Sequence, residues 1–261
     1  MANDITVFIV SLKNSTDRRA QLAKHLEHIG LKFEWFDATY GKSLTDEEMA
    51  QYCDLEAIKE NPVWLSRSAI GCALSHYFIY KEVIRRNLPY ALILEDDIVF
   101  EKDFIPYIDT VAKQLQKNEI AALYYQSWDP IRLIGSTVVD IHKPYKSYIP
   151  QDIYQPISTA GYIITKDACK TFSEAMIPLR RTADSWGQYK QIGAFENFRC
   201  VYPRPVDTVD AKSTIEYIGD NWKSRLMQWV DKNKIFPLYQ ILRKKRNLNR
   251  QSMMKAEIID K

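Results

Sequence analysis

The stretch YALILEDDIVF, Tyr90 to Phe100, decides the reading of this chain. Tyr90 to Leu94 is a short continuous apolar run, the pattern of a strand covered on both faces of an α/β sheet. Pro89 stops whatever helix precedes it. Glu95, Asp96 and Asp97 follow at the strand's carboxyl end, where such sheets place ligands, and Ile98 to Phe100 continues as extended chain. Three adjacent carboxylates after a buried strand repel one another and lose hydration, which disfavours their charged forms. A divalent cation relieves that cost, and hard cations prefer carboxylate and phosphate oxygens. Alternation along an extended backbone puts Glu95 and Asp97 on one side and Asp96 on the other. The residues thus point to a metal held by Asp97 and Glu95, with a solvated acidic turn as the competing reading.

Working outward, the upstream chain supplies a strand–helix–strand opening. Ile5 to Leu12 is an apolar β-type run. Thr16 to Ile29 has Leu22, Leu26 and Ile29 on one helical stripe with Gly30 as C-cap, and Phe33 to Thr39 alternates into a second strand. Thr45 with Glu48 forms a capping box for a short helix, which leads to a loop around Asn61-Pro62. A longer helix spans Ser68 to Arg86, with Ile70, Leu74, Tyr77, Lys81 and Ile84 on one face and Cys72, His76 and Ile79 on the other. Downstream, Phe104 to Gln116 reads as a helix and Ala121 to Gln126 as a strand. Residues 127–155 read as an irregular Tyr- and Pro-rich insertion with short strands, including one over Ser136 to Ile141. Then come a strand over Ile157 to Thr165, a helix over Lys166 to Ala175, a short helix or loop over Asp184 to Gln191, and a last strand over Phe198 to Tyr202. The class is α/β, a mostly parallel Rossmann-like sheet flanked by helices.

The chain has 261 residues, 46% of them apolar, enough for one large core. Its net charge of +3 is unevenly placed. Residues 221–250 carry nine Lys/Arg against one Asp, leaving the first 220 residues at about −5. This divides the chain into a mildly acidic body, 1–220, with halves of about 1–125 and 126–220, and a basic amphipathic extension, 221–261. In that extension Leu226, Trp229, Val230, Ile235, Phe236, Leu238, Tyr239, Ile241 and Leu242 accompany the run Arg243-Lys244-Lys245-Arg246. Such a mixture suits an anionic bilayer surface, the alternative being a packed helix with a solvated end. An acidic body without a nucleic-acid motif argues against nucleic acid as a partner. The four cysteines, Cys53, Cys72, Cys169 and Cys200, show no CxxC spacing, and the single neighbouring pair Cys72/His76 is too little for a zinc site. Reduced thiols, no signal-peptide pattern and no apolar run near the roughly 20 residues of a membrane span give the expectation of a cytoplasmic protein.

Four segments together resemble glycosyltransferase family 25, the lipooligosaccharide galactosyltransferases. They are VFIVSLKNSTDRRAQLAKHLEHIGLKFEWFDATYGK (Val7 to Lys42), IGCALSHYFIYKEVI (Ile70 to Ile84), ALILEDDIVF (Ala91 to Phe100) and STAGYIITKDACKTF (Ser158 to Phe172). The resemblance implies a GT-A fold, inverting transfer, UDP-galactose as donor, Mn²⁺ or Mg²⁺ as cofactor, and a sugar hydroxyl of a lipid-linked oligosaccharide as acceptor. It further implies a place at the cytoplasmic face of a bacterial inner membrane. The chain departs from the family pattern at Ser68-Ala69, where many relatives carry Gly-Glu, and at Ser185 after Asp184, where many carry His; it has no His after His142.

Roles follow from that frame. Ser11, Asn14 and Arg18 (or Arg19), in the turn after the first strand, are expected to hold the donor, as are Ser75 and His76 on the central helix and Glu95 and Asp96. Inverting transfer needs a base for the acceptor hydroxyl, and Asp184 is the choice, with Glu196 and Asp152 in reserve; an N-cap role is the alternative for Asp184. Trp186 is expected as a stacking platform for the acceptor sugar. Cys72 reads as a packing residue and Tyr162 as core. The competing functions are transfer of glucose or an N-acetylhexosamine by the same fold, a different metal-dependent phosphate-handling enzyme, and a non-catalytic carbohydrate-binding module.

Overall fold

The computed structural model describes residues 4–208, 229–230, 233–237, 240, 242, 244 and 252–260. The chain opens with β1 (Thr6–Ser11), α1 (Thr16–Ile29) and β2 (Glu34–Asp37), then α2 (Asp46–Tyr52), α3 (Leu55–Glu60) and α4 (Arg67–Arg85). β3 (Tyr90–Glu95) and β4 (Ile98–Phe100) carry the acidic motif between them, and α5 (Ile108–Gln114) and β5 (Glu119–Ala122) follow. The insertion folds as β6 (Ile131–Ile134), β7 (Val139–His142) and β8 (Tyr145–Tyr148). It is followed by β9 (Gly161–Thr165), α6 (Lys166–Met176), α7 (Trp186–Gln191), β10 (Asn197–Tyr202), β11 (Val206–Thr208) and β12 (Ala256–Ile259).

Eight strands form one sheet in the order β2-β1-β3-β9-β5-β10-β8-β7. Six run one way; β9 and β8 run against them. This is the mostly parallel α/β sheet flanked by helices expected for a GT-A-type domain. Strand alternation splits the core in two. Phe8, Val10, Ala91, Ile93, Tyr162 and Ile164 face α4 and α6, while Val7, Ile9, Leu92, Leu94 and Ile163 face α1 and α5. Both faces being covered explains why YALIL reads as an unbroken apolar run.

Local chemistry sets the helix ends. Gly30 caps α1 in the left-handed region at φ 81°. Thr45 and Glu48 form the reciprocal capping box, and the Ser66 hydroxyl accepts from the amide of Ala69 to start α4. Both faces of α4 are buried at Ala69, Ile70, Ala73, Leu74, His76, Ile79, Tyr80 and Val83, whereas Lys81, expected on the apolar stripe, is exposed. The helix expected over 104–116 is divided. Lys102–Tyr107 is a 3-10 turn containing Pro106, whose ring and missing N–H prevent α-helical bonding there. α3, β11 and β12 add to the expected elements: each is short, and among the described residues strands β11 and β12 pair with distant partners, β4 and β6.

β12 lies within the stretch expected as an extension, and it pairs in parallel with β6 of the insertion. Backbone bonds from Ser127 N–H to the Met253 carbonyl and from Ile131 N–H to the Lys255 carbonyl join the two segments, and Arg204 donates to the Met254 carbonyl. In the basic run, Arg243, Lys245 and Arg246 lie outside the described residues, as do Leu226, Leu238, Tyr239 and Ile241. Among the described residues no helix is long and apolar enough to cross a membrane.

Candidate active site

β1 and β3 are neighbours and parallel, so Ser11 and Glu95 finish at the same sheet edge, with Val10 opposite Glu95. A cavity of about 380 Å³ opens there. It is lined by Ser11, Ser15 and Arg18 from the first turn, Thr39 to Lys42 after β2, Cys72, Ser75 and His76 of α4, and Glu95, Asp96 and Asp97. Gly71 lets α4 approach this closely. A Cβ there would sit 2.5 Å from the Gly41 nitrogen and 2.7 Å from the Thr39 carbonyl oxygen. Gly41 is constrained in the same way by the Arg67 backbone. The two glycines allow backbone-to-backbone contact that any side chain would prevent.

The three acids have three different environments. Asp96 is fully engaged: the Ser11 hydroxyl donates to it at 2.6 Å and the Arg18 guanidinium at 3.0 Å. Ser11 and Arg18, expected on the donor, therefore hold Asp96 while lining the cavity. Arg19 does not line the cavity: it donates to the Ser11 carbonyl at 2.7 Å, to the Ser11 hydroxyl at 3.3 Å and to Asp37, and lies over the Trp35 ring. Glu95 accepts from the Thr159 hydroxyl at 2.6 Å, and its Oε1 lies 3.7 Å from His76 Nε2. Burial pushes Glu95 up, but the His76 imidazole, the Thr159 hydroxyl and Arg18 outweigh it, and its carboxyl titrates below the ordinary value. Asp97 is the reverse. Its Oδ1 is buried with no hydrogen-bond partner. Burial first, and then the charges of Glu95 and Asp96, push its pKa up to about 7 against the opposing pull of Arg18. An orphaned carboxylate oxygen beside a second acid is the donor set that a hard divalent cation completes. Asp97 and Glu95 would hold it, Glu95 from the position that Thr159 fixes.

The antiparallel run of β9 supports the acidic motif from outside the cavity lining. Because β9 pairs Gly161 with Leu94, the residues before it return beside the end of β3, and the Ala160 carbonyl accepts from Glu95 N–H at 3.0 Å. Thr159 thereby reaches Glu95. Ser158, at a positive φ of 98°, offers its N–H to Asp184 Oδ2 at 3.1 Å. The Thr182 hydroxyl donates to the other Asp184 oxygen at 2.7 Å. Asp184 is thus fixed through both oxygens. It is not the cap of α7, whose N-cap position is Ser185. The charges of Glu95, Asp184 and Asp97 all act on the Cys72 thiol and, after burial, raise its pKa well above the ordinary value. Asp184 therefore belongs to the same electrostatic neighbourhood, although it does not line the cavity.

Two further expected site residues lie outside the cavity lining, and a third lines it in a structural role. Trp186 is 1% exposed and packs among Tyr162, Phe172, Phe195 and Phe198. A ring enclosed on all sides cannot stack on a sugar, so the platform assignment is corrected to a core one. Its indole N–H donates to the Ser158 carbonyl at 3.2 Å and helps hold that strained residue. Asn14 is exposed in its turn and is not part of the cavity lining. Ser75 lines the cavity but is committed to structure: its hydroxyl donates to the Gly71 carbonyl at 2.7 Å and accepts from Thr39 N–H at 2.9 Å. Of the reserve bases, Asp152 is exposed in a turn. Glu196 precedes β10 beside Asn118, at the opposite end of the sheet from Glu95. Sequence reading missed Thr159 and Ser158, whose importance comes from the reversal of β9. It also missed Lys42, whose charge joins Arg18 in the cavity wall.

Comparison with known proteins finds relatives over this part of the chain. The 36%-identical Procollagen galactosyltransferase 1-B of Xenopus laevis aligns over 53% of this chain and 22% of that protein. The human Procollagen galactosyltransferase 2 is 33% identical over 63% of this chain and 26% of its own length. A Bos taurus relative named Probable inactive glycosyltransferase 25 family member 3 is 29% identical over 49% of this chain and 21% of that protein. The chain thus spans between a fifth and about a quarter of the length of these relatives. The profile described as Glycosyltransferase family 25 (LPS biosynthesis protein) matches residues 4–186. With strand β3, the acidic motif, helix α4 and strand β9 all inside that match, the chain belongs to glycosyltransferase family 25.

Proposed function

We propose that this chain transfers galactose from UDP-galactose, with inversion, to a sugar hydroxyl of a lipid-linked oligosaccharide of the lipooligosaccharide or lipopolysaccharide type. The observation that carries the reading is the buried, partnerless oxygen of Asp97 beside Glu95 in a cavity that also presents Arg18 and Lys42. Two acids for a cation and two basic side chains for a diphosphate are complementary to a nucleotide-sugar, whereas a sugar-binding module has no use for them. A bound Mn²⁺ or Mg²⁺ would supply Lewis-acid neutralisation of the charge on the departing UDP. The chain's own residues do the rest. Ser11 and Arg18 lock Asp96, which keeps the turn at 96–97 in place. Thr159 orients Glu95. Asp184, held by Ser158 and Thr182, takes the proton of the acceptor hydroxyl as it attacks. The wall built by α4 and residues 39–42 shelters the donor from water.

The acceptor follows the family description of LPS biosynthesis, and galactose accords with the names of the relatives. The basic, apolar tail suits contact with an anionic membrane, and Trp229 and Phe236 there are exposed. The test is UDP release from a panel of UDP-galactose, UDP-glucose and UDP-N-acetylhexosamines with Mn²⁺, using a lactose-terminated oligosaccharide or a collagen-type peptide as acceptor. Galactose preference with the oligosaccharide supports the proposal. Preference for another donor replaces galactose, and glycosylation of the peptide replaces the acceptor. No UDP release with any pair removes the enzymatic reading of this chain. Asp184→Asn should lower kcat at least about 100-fold, the usual contribution of a general base.

A further inference from the structure

Cys72 and His76 stand one helical turn apart on α4, and the end of β3 brings Glu95 against them. The Cys72 sulfur, a ring nitrogen of His76 and a carboxylate oxygen of Glu95 all lie within 4.8 Å of one another. His76 is 0% exposed, and its Nε2 has no hydrogen-bond partner. The other ring nitrogen, Nδ1, is 2.6 Å from the Tyr162 hydroxyl, which is itself 2.8 Å from the Tyr80 hydroxyl. A hydrogen bond on one ring nitrogen fixes the orientation of the other, which is how proteins aim a histidine at a metal. Here Nε2 is aimed at Glu95, 3.7 Å away, too far for a hydrogen bond.

We propose that Cys72, His76 and Glu95 form a site for a thiophilic divalent cation of the zinc class. It is distinct from the hard-cation site at Asp97 and shares Glu95 with it, so that occupation of one site weakens binding at the other. Sulfur, imidazole and carboxylate ligands at about 2.0–2.3 Å from a tetrahedral ion stand roughly 3.3–3.8 Å apart, and the His76–Glu95 separation already has that value. Thiolate and imidazole select zinc-like ions, while carboxylates alone suit Mg²⁺ and Mn²⁺. The field of Glu95, Asp184 and Asp97 that disfavours a bare Cys72 thiolate also attracts a cation, and binding would release the thiol proton. Three protein ligands leave a fourth position open to water or ligand from the cavity.

The proposal shares Glu95 and the α4 side of the cavity with the galactosyltransferase reading, and its test separates the two. Chelator-treated protein is titrated with Co²⁺, a spectroscopic stand-in for zinc. A thiolate-to-cobalt charge-transfer band saturating at about one equivalent is expected. That band should vanish in Cys72→Ser and weaken at least tenfold in apparent affinity in His76→Gln, with thermal melts verifying that both variants are folded. It should persist in Asp97→Asn. In parallel, Mn²⁺ binding followed by electron paramagnetic resonance should weaken at least tenfold when one equivalent of Zn²⁺ is present. Absence of the band, or a band unchanged in Cys72→Ser, overturns the site. Its loss in Asp97→Asn overturns the distinction between the two sites, and Mn²⁺ binding indifferent to Zn²⁺ overturns the shared Glu95. Where Cys72→Ser does not fold, one Zn²⁺-dependent proton released per protein and protection of Cys72 from alkylation by Zn²⁺ decide the same question.

Discussion

Asp97 shows how one residue's environment becomes a measurable property. Its carboxyl, ordinarily near 3.8, titrates at about 7 because it is buried beside Glu95 and Asp96. Between those values the folded chain holds a proton that the unfolded chain has shed, so stability of the metal-free protein falls as pH rises across that window. The loss is complete above about pH 7 and absent below about pH 4. Asp97→Asn should therefore melt several degrees higher than the parent at pH 8 in chelator, at about 2–4 °C per kcal/mol, with the gap closing toward pH 4. Equal melting temperatures at pH 8 would contradict the assigned environment. The same variant should lose metal-dependent UDP release, and in the parent Mn²⁺ affinity should climb as pH passes through about 7. Trp186 gives the opposite kind of prediction. As an enclosed core ring, its replacement by Ala should cost about 3–5 kcal/mol in urea unfolding, while Trp186→Phe should leave the acceptor KM unchanged. A large rise in KM without destabilisation would restore its role as a platform.

At the scale of elements, the site depends on how closely α4 meets the chain after β2. Gly71→Ala places a methyl group within 2.5–2.7 Å of the Gly41 and Thr39 backbones, where no flexible side chain can yield. Overpacking of this kind costs about 1–3 kcal/mol. Donor KM should rise as well, because the shift moves Cys72, Ser75 and His76 away from Glu95. Thermal melts and UDP-galactose kinetics on one preparation measure both. Thr45→Ala offers a contrast at a helix end outside the cavity lining. Losing the capping box should cost about 1 kcal/mol and leave kcat unaltered. β9 carries the more consequential geometry. Its reversed direction, set by pairing Tyr90 with Thr165 and Leu94 with Gly161, is what returns Ser158 and Thr159 to the acidic motif.

For the whole molecule, charge is the relevant quantity: a body of about −5 followed by a strongly basic stretch. Changing Arg243, Lys244, Lys245 and Arg246 together to Glu should abolish sedimentation with phosphatidylglycerol vesicles while turnover of a soluble acceptor is retained. Parent binding should decline as salt is raised from about 0.05 to 0.5 M, as surface electrostatics require. Retained sedimentation in the variant would count against the tail as the membrane contact. The pairing of β12 with β6 ties the chain's end to the insertion, so removal of residues 252–261 should destabilise the 127–155 region as well as shorten the tail.

Sequence alone determined the features that local chemistry controls. Alternation and continuity of apolar residues located β1 and β3, capping residues placed the ends of α1 and α2, and the desolvation cost of three adjacent acids singled out Glu95, Asp96 and Asp97. Those signals are short-range, so a few neighbouring side chains suffice to read them. Only the tertiary structure decided which acid lacks a partner, that Trp186 is enclosed rather than open to a sugar, and that Thr159 and Ser158 belong to the site. It also brought Glu95 of β3 to the Cys72/His76 pair of α4, a grouping that spacing along the chain gave no reason to expect. The direction of β9 and the glycine contact between α4 and residues 39–41 arise from pairing of distant segments, and distance in sequence conceals the electrostatics and burial that such pairing creates.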